Sequence, residues 1–220
     1  ALTQFEYINN PYDYNRDELI KLMPKIRPFT RNEEFGLINV ARALFAVGVT
    51  VIYQPTVEKL QVRGATMSVN GKPCIVLSNL NNRYPTLWFA LLHELHHVLY
   101  DFDEIADMVY HISEDVELNL FLMNEEKADD FARQFLLNDS RYKNARGFIT
   151  SNYHIEKKSK EWGLHPSIIY AIHCYETNEW PFYNKHIPKM DVALKLLNTH
   201  PFEKEELIES ARKIKEVISV

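Results

Sequence analysis

From Thr86 to Tyr100 the chain is apolar on nearly every face of a helix, yet this stretch carries His93-Glu94-Leu95-His96-His97 at its centre. A helix this short and this apolar is buried in a core rather than laid on a surface. The fold must therefore be built around an element that brings imidazoles and a carboxylate into the interior. His93 and His97 are four residues apart, one turn along the same face, so both rings can reach one ion. Neutral imidazole is a good zinc ligand, and two at this spacing supply two corners of a tetrahedron. Glu94 lies beside them, where its carboxylate can take a proton from water. Trp88, Phe89, Leu91, Leu92, Val98 and Leu99 hold the ligands in low-dielectric surroundings. With nine histidines in the chain, H-E-x-x-H arises by chance in roughly a few per cent of such sequences, so its context has to carry the argument.

Part of that context lies downstream. A catalytic zinc usually takes three protein ligands and leaves one position open. Asn124-Glu125-Glu126-Lys127-Ala128-Asp129 is the best source of the third. Glu125 and Asp129 again share one helical face. In a gluzincin-type arrangement the Glu binds metal, while the Asp accepts a hydrogen bond from the outer nitrogen of a ligand histidine. Glu126 is the rival ligand, and acids also favour a first helical turn for dipole reasons alone.

The rest of the chain fits a folded domain. Of 220 residues, 46% are hydrophobic and 25% charged, enough for a sizeable core and too apolar for disorder. A formal net charge of −5 leaves no basic excess for holding nucleic acid. Cys74 and Cys174 stand far apart in no C-x-x-C arrangement, as core thiols in a reduced cytoplasmic protein would. No apolar run approaches the ~18 residues of a membrane span. The opening Ala-Leu-Thr-Gln-Phe-Glu has neither the basic nor the apolar region of a signal peptide, and its lack of Met fits a fragment of a longer chain.

The patterning predicts an irregular entry over residues 1–14, then a helix from Asp17 to Ile26. A capping box of Thr30 and Glu33 opens a second helix with Phe35, Ile38, Ala41, Leu44 and Phe45 as its buried stripe, stopping at Gly48. Residues 49–78 then read as a small, largely antiparallel three-stranded sheet: Val49 to Tyr53, then Leu60, Val62 and Ala65 to Val69, then Pro73 to Leu77. Asn70-Gly71 joins the last two as a hairpin turn, and Gly64 marks a bulge. Helices follow over Thr86 to Tyr100, from a cap at Asn124 to Leu137, Ser151 to Trp162, Pro166 to about Glu176, and Glu203 to Ile218. In the last of these, Leu207, Ile208, Ala211, Ile214 and Ile218 share one side. The expected class is α+β and mostly helical, with the sheet packed on the H-E-x-x-H helix.

Three stretches together resemble the ImmA/IrrE family of metallopeptidases: Arg83-x-x-x-x-x-Phe89-Ala90-x-x-His93-Glu94-Leu95-x-His97, Glu125-x-x-Ala128-Asp129-x-Phe131-Ala132-x-x-Phe135-Leu136-Leu137, and Trp162-Gly-Leu-His-Pro-Ser-Ile-Ile. The resemblance implies a metallopeptidase domain over residues 35–185, with an N-terminal extension over 1–34 and a helical extension over 186–220. It implies zinc held by His93, His97 and Glu125, with Glu94 as general acid/base. The implied partner is a helix-turn-helix repressor of a stress, mobile-element or toxin–antitoxin system, cleaved in the cytoplasm. The sequence departs from the family pattern twice: His96 stands where a small residue is usual, and Asn138-Asp139 where a Pro often closes the second helix.

Other residues invite weaker roles. Tyr153, His154 and His165 are rival candidates for stabilising an oxyanion. His173 reads as packed, and Lys157, Lys158 and Lys160 as a solvated basic face. The exposed strand of residues 60–69 is expected to be able to pair with an extended peptide by strand addition. A different class of function is also open: a non-proteolytic regulatory or antitoxin module, with a helix-turn-helix domain upstream of Ala1 and a metal site that serves only structure or recognition.

Overall fold

The computed structural model describes residues 8–56, 62–108, 118–199 and 204–218. Residues 1–7 of the expected irregular entry, the expected strand residue Leu60 and the expected helix start at Glu203 lie outside them, as do the side chains of Leu207 and Ile218. The fold is α+β and mostly helical around one small sheet. Helices α1 (Arg16–Ile26) and α2 (Gly36–Ala46) lead into β1 (Thr50–Tyr53), β2 (Gly64–Val69) and β3 (Lys72–Leu77). Then come α3 (Tyr84–Tyr100), α4 (Phe102–Met108), α5 (Leu118–Leu136), α6 (Asp139–Arg146), α7 (Asn152–Trp162), α8 (Pro166–Thr177), α9 (Trp180–Tyr183), α10 (Asp191–Thr199) and α11 (Lys204–Ile218).

The sheet is mixed rather than largely antiparallel. Its order is β1-β3-β2, with β1 parallel to β3 (Thr50 opposite Cys74) and β2 antiparallel to β3 (Val69 opposite Lys72). The hairpin fixes the second pairing: Asn70 and Gly71 both have positive φ, 54° and 73°, as a two-residue type I′ turn requires. Of the two edges the hairpin leaves open, β1 takes the far side of β3. The central strand is also the apolar one, with Pro73, Cys74, Ile75 and Leu77 buried. The register from Gly64 to Val69 is unbroken, so Gly64 is the first residue of β2 and not a bulge.

Three other expectations are corrected. Thr30 caps no helix. It sits in a 3-10 turn over Arg27–Arg31, where its hydroxyl donates to Arg27 O (2.7 Å) and accepts from His165 N (3.0 Å). The α2 helix starts later, after Asn32 Oδ1 accepts from Phe35 N, and Phe35 is exposed instead of joining the buried stripe of Ile38, Ala41, Leu44 and Phe45. Asn124 is already inside α5, which is helical from Leu118, so it is not the cap. The departure at Asn138-Asp139 has a local explanation: Asn138 caps α6, its Oδ1 accepting from Arg141 N.

The α3 helix runs through the middle of the main core. Leu87, Trp88, Leu91, Leu92, Leu95 and Val98 are almost wholly buried, in one cluster with Leu19 and Leu22 of α1, Leu44 of α2, Ile75 and Leu77 of β3, Ile168 and Ile169 of α8 and Leu194 of α10. Elements from both halves of the chain, α1 and α10, therefore pack into the same core as the central helix. Ile8 and, from α11, Ala211 join Phe45, Ile52 and Cys74 in a second, smaller cluster. On the site side, α5 and the sheet flank α3. No helix among the described residues is long and apolar enough to cross a membrane.

Candidate metal centre

The α3 helix presents His93 and His97 from one face, as their spacing demands, with ring centroids 5.0 Å apart. Their Nε2 atoms lie 3.3 Å from each other. Glu125 reaches across from α5, placing Oε2 at 3.0 Å from His93 Nε2 and Oε1 at 3.3 Å from His97 Nε2. One ligand atom from each of the three residues lies within 4.8 Å of the others. Glu126, the rival, is exposed and is not a member of this group.

The outer nitrogens are both engaged. His93 Nδ1 is 2.8 Å from Asp129 Oδ1, and His97 Nδ1 is 2.8 Å from Asp101 Oδ2. Carboxylates only accept, so each Nδ1 carries the hydrogen and each Nε2 is left as an acceptor when the ring is neutral. Two imidazole lone pairs and a carboxylate then converge with no donor among them. Only a proton or a cation relieves that crowding. Burial opposes protonation of His93, but the Asp129 hydrogen bond and the charges of Glu94, Glu125 and Asp129 outweigh it, and the ring's pKa stands above the ordinary imidazole value. A divalent cation would displace that proton. Two imidazoles, one carboxylate and two outer carboxylates that fix the tautomers form a donor set suited to zinc.

Glu94 meets the sheet, its carboxylate lying against Thr66 and Gly64 of β2. It is 5% exposed, and burial pushes its pKa up, as does Glu125; a hydrogen bond from Thr66 and the nearby imidazoles of His93 and His97 pull it back. The carboxylate is thus buried beside the cluster without joining it.

His96 is buried on another side of α3 and packs as an aromatic, against Tyr100 (4.9 Å) and Phe131 (5.5 Å). Its Nδ1 has no hydrogen-bond partner and stands 3.6 Å from Asp101 Oδ2. Among the described residues His96, His97 and Asp101 form a second close group, but the Asp101 oxygen is already taken by His97.

The oxyanion candidates are engaged elsewhere. Tyr153 is 73% exposed, His154 stacks on Phe148 and bonds Ser151, and His165 caps α8 through Ser167 while its Nε2 meets Glu33. The structure does not bring them to the His93–His97–Glu125 group. His173 is packed, between Tyr142 and Glu179. Lys158 and Lys160 pair with Glu161 and Glu156 on their own helix. Cys74 and Cys174 are free and buried. Sequence reasoning missed Asp101, Thr66 and Gly64. Asp101 had a signal, lying one turn beyond His97 on the same face.

A scan of protein-family models, a search of curated proteins and a search of solved structures each returned no match.

Proposed function

We propose that this chain is a zinc-dependent metallopeptidase of the ImmA/IrrE type, acting in the cytoplasm on a helix-turn-helix repressor. The observation that carries the reading is the convergence of His93, His97 and Glu125 with Glu94 buried alongside. His93, His97 and Glu125 would hold the ion, with Asp129 and Asp101 fixing the two rings. Zinc, when bound, supplies Lewis acidity toward a carbonyl and an acidified water. Glu94 takes the proton from the attacking water onto its carboxylate and delivers it to the departing amine nitrogen as the C–N bond breaks. As one of the sheet's two edge strands and the one against Glu94, β2 would pair with an extended substrate segment.

The test is hydrolysis of a helix-turn-helix repressor encoded beside this chain, followed by mass spectrometry. A discrete cut that is lost on chelation and restored by one equivalent of zinc is expected. An intact repressor under zinc-loaded conditions, with Glu94→Gln indistinguishable from wild type in the cell, supports the regulatory reading instead.

A further inference from the structure

Thr66 and Gly64 stand on the same face of β2, two residues apart, and that face looks onto α3 at Glu94. Thr66 Oγ1 lies 2.8 Å from Glu94 Oε2 and 3.2 Å from the backbone O of the same residue. At Gly64 the contact is closer still: a Cβ there would fall 2.7 Å from Glu94 Oε1 and 2.9 Å from its Cγ. Both carboxylate oxygens are therefore positioned by β2, one by a hydrogen bond and the other by bare backbone. Among the described residues, Thr66 is the hydrogen-bond donor to this buried carboxylate.

We propose that Thr66 is a positioning residue for Glu94, and that Gly64 is glycine because the Glu94 carboxylate occupies the space of a side chain. The proposal rests on the reading of Glu94 as the proton carrier. A long, unbranched side chain has several rotamers, and a misplacement of about 1 Å at a reacting group can cost on the order of 100-fold in rate. The Thr66 hydroxyl restrains the carboxylate directly. It also suits both states of a proton carrier: it donates to the ionised carboxylate, and it can turn to the Glu94 backbone O and accept from the protonated one. Because the atoms that a Gly64 side chain would strike belong to the end of a flexible glutamate, the relief is movement of Glu94 rather than of the strand.

The experiment compares Thr66→Val, Thr66→Ser and Gly64→Ala in the full chain. Crystal structures locate the Glu94 carboxylate, and a mixed synthetic peptide library read by mass spectrometry gives kcat and KM. Thr66→Val and Gly64→Ala are expected to displace the carboxylate or spread it over several rotamers, with zinc stoichiometry unchanged. The expected fall in kcat is about 10–100-fold with little change in KM. Thr66→Ser keeps the hydroxyl and is expected to restore both position and rate. A Glu94 carboxylate that stays in place in Thr66→Val and Gly64→Ala overturns the proposal. Failure of the proton-carrier reading shows separately, as hydrolysis that survives Glu94→Gln, and leaves the crystallographic result to decide the role of Thr66.

Discussion

Asp101 Oδ2 accepts from His97 Nδ1 at 2.8 Å, one turn beyond it where α3 ends, and so mirrors on this ring what Asp129 does for His93 from the neighbouring helix. Each imidazole of the pair is thereby held in the tautomer that leaves Nε2 free to ligate. Such outer partners usually contribute 10–100-fold in metal affinity. Asp101→Asn and Asp129→Asn are each expected to weaken zinc binding by about that factor while keeping the stoichiometry. Competition against a chromophoric chelator measures it. Unchanged affinity in both variants would separate these contacts from metal binding.

Direct ligation makes a sharper demand. His93→Ala and His97→Ala are expected to lose stoichiometric zinc, and Glu125→Gln to bind it far more weakly, because too few donors remain. Glu126→Gln should bind as wild type does. Elemental analysis of the purified variants reads this out. Loss in Glu126→Gln with retention in Glu125→Gln would shift the register of α5 by one residue.

The scaffold prediction concerns α3 as a core element. Leu91 is fully buried among side chains from several elements. Leu91→Ala is expected to cost about 2–5 kcal/mol of stability through lost contacts and a residual cavity. Urea titration of the metal-free protein is the measurement, and a cost below about 1 kcal/mol would place α3 outside a tightly packed core.

A pH effect on stability is expected from His165. Burial depresses its pKa below the ordinary 6.5, against the opposing pull of Glu33. Its Nδ1 accepts from Ser167 N, so protonation there removes the cap of α8. The unfolded chain thus binds the proton more readily than the folded one. Stability is full above the unfolded value and falls as the pH drops through about 6.5 toward the lower folded pKa. In His165→Asn, which caps without titrating, this part of the slope should vanish. Parallel denaturation curves at several pH values test it; identical slopes in the two proteins contradict it.

Much of this was legible in the residues themselves. The α3 helix and its paired histidines follow from one spacing, and the hairpin from Asn70-Gly71, because both are local rules of geometry. Glu125 and Asp129 could be placed on a face by the same rule, although their distance from His93 depends on how α5 packs. The parallel partner of β1 was not legible, since it depends on which edge of β3 the hairpin leaves open. Thr30 misled for a similar reason: its hydroxyl is used by Arg27 and by distant His165, and a capping motif carries no record of such competition. Gly64 invited a bulge because a strand glycine has two common causes, and only the structure shows Glu94 against it.

The most direct measurement pairs zinc content with hydrolysis in the Glu94→Gln variant. Glu94 stands beside the ligands without converging on them, so the substitution removes a proton carrier and spares the site. The account predicts one equivalent of zinc bound, unaltered folding, near wild-type substrate binding and loss of cleavage. A Glu94→Gln protein that binds zinc and cleaves its substrate at the wild-type rate would contradict it.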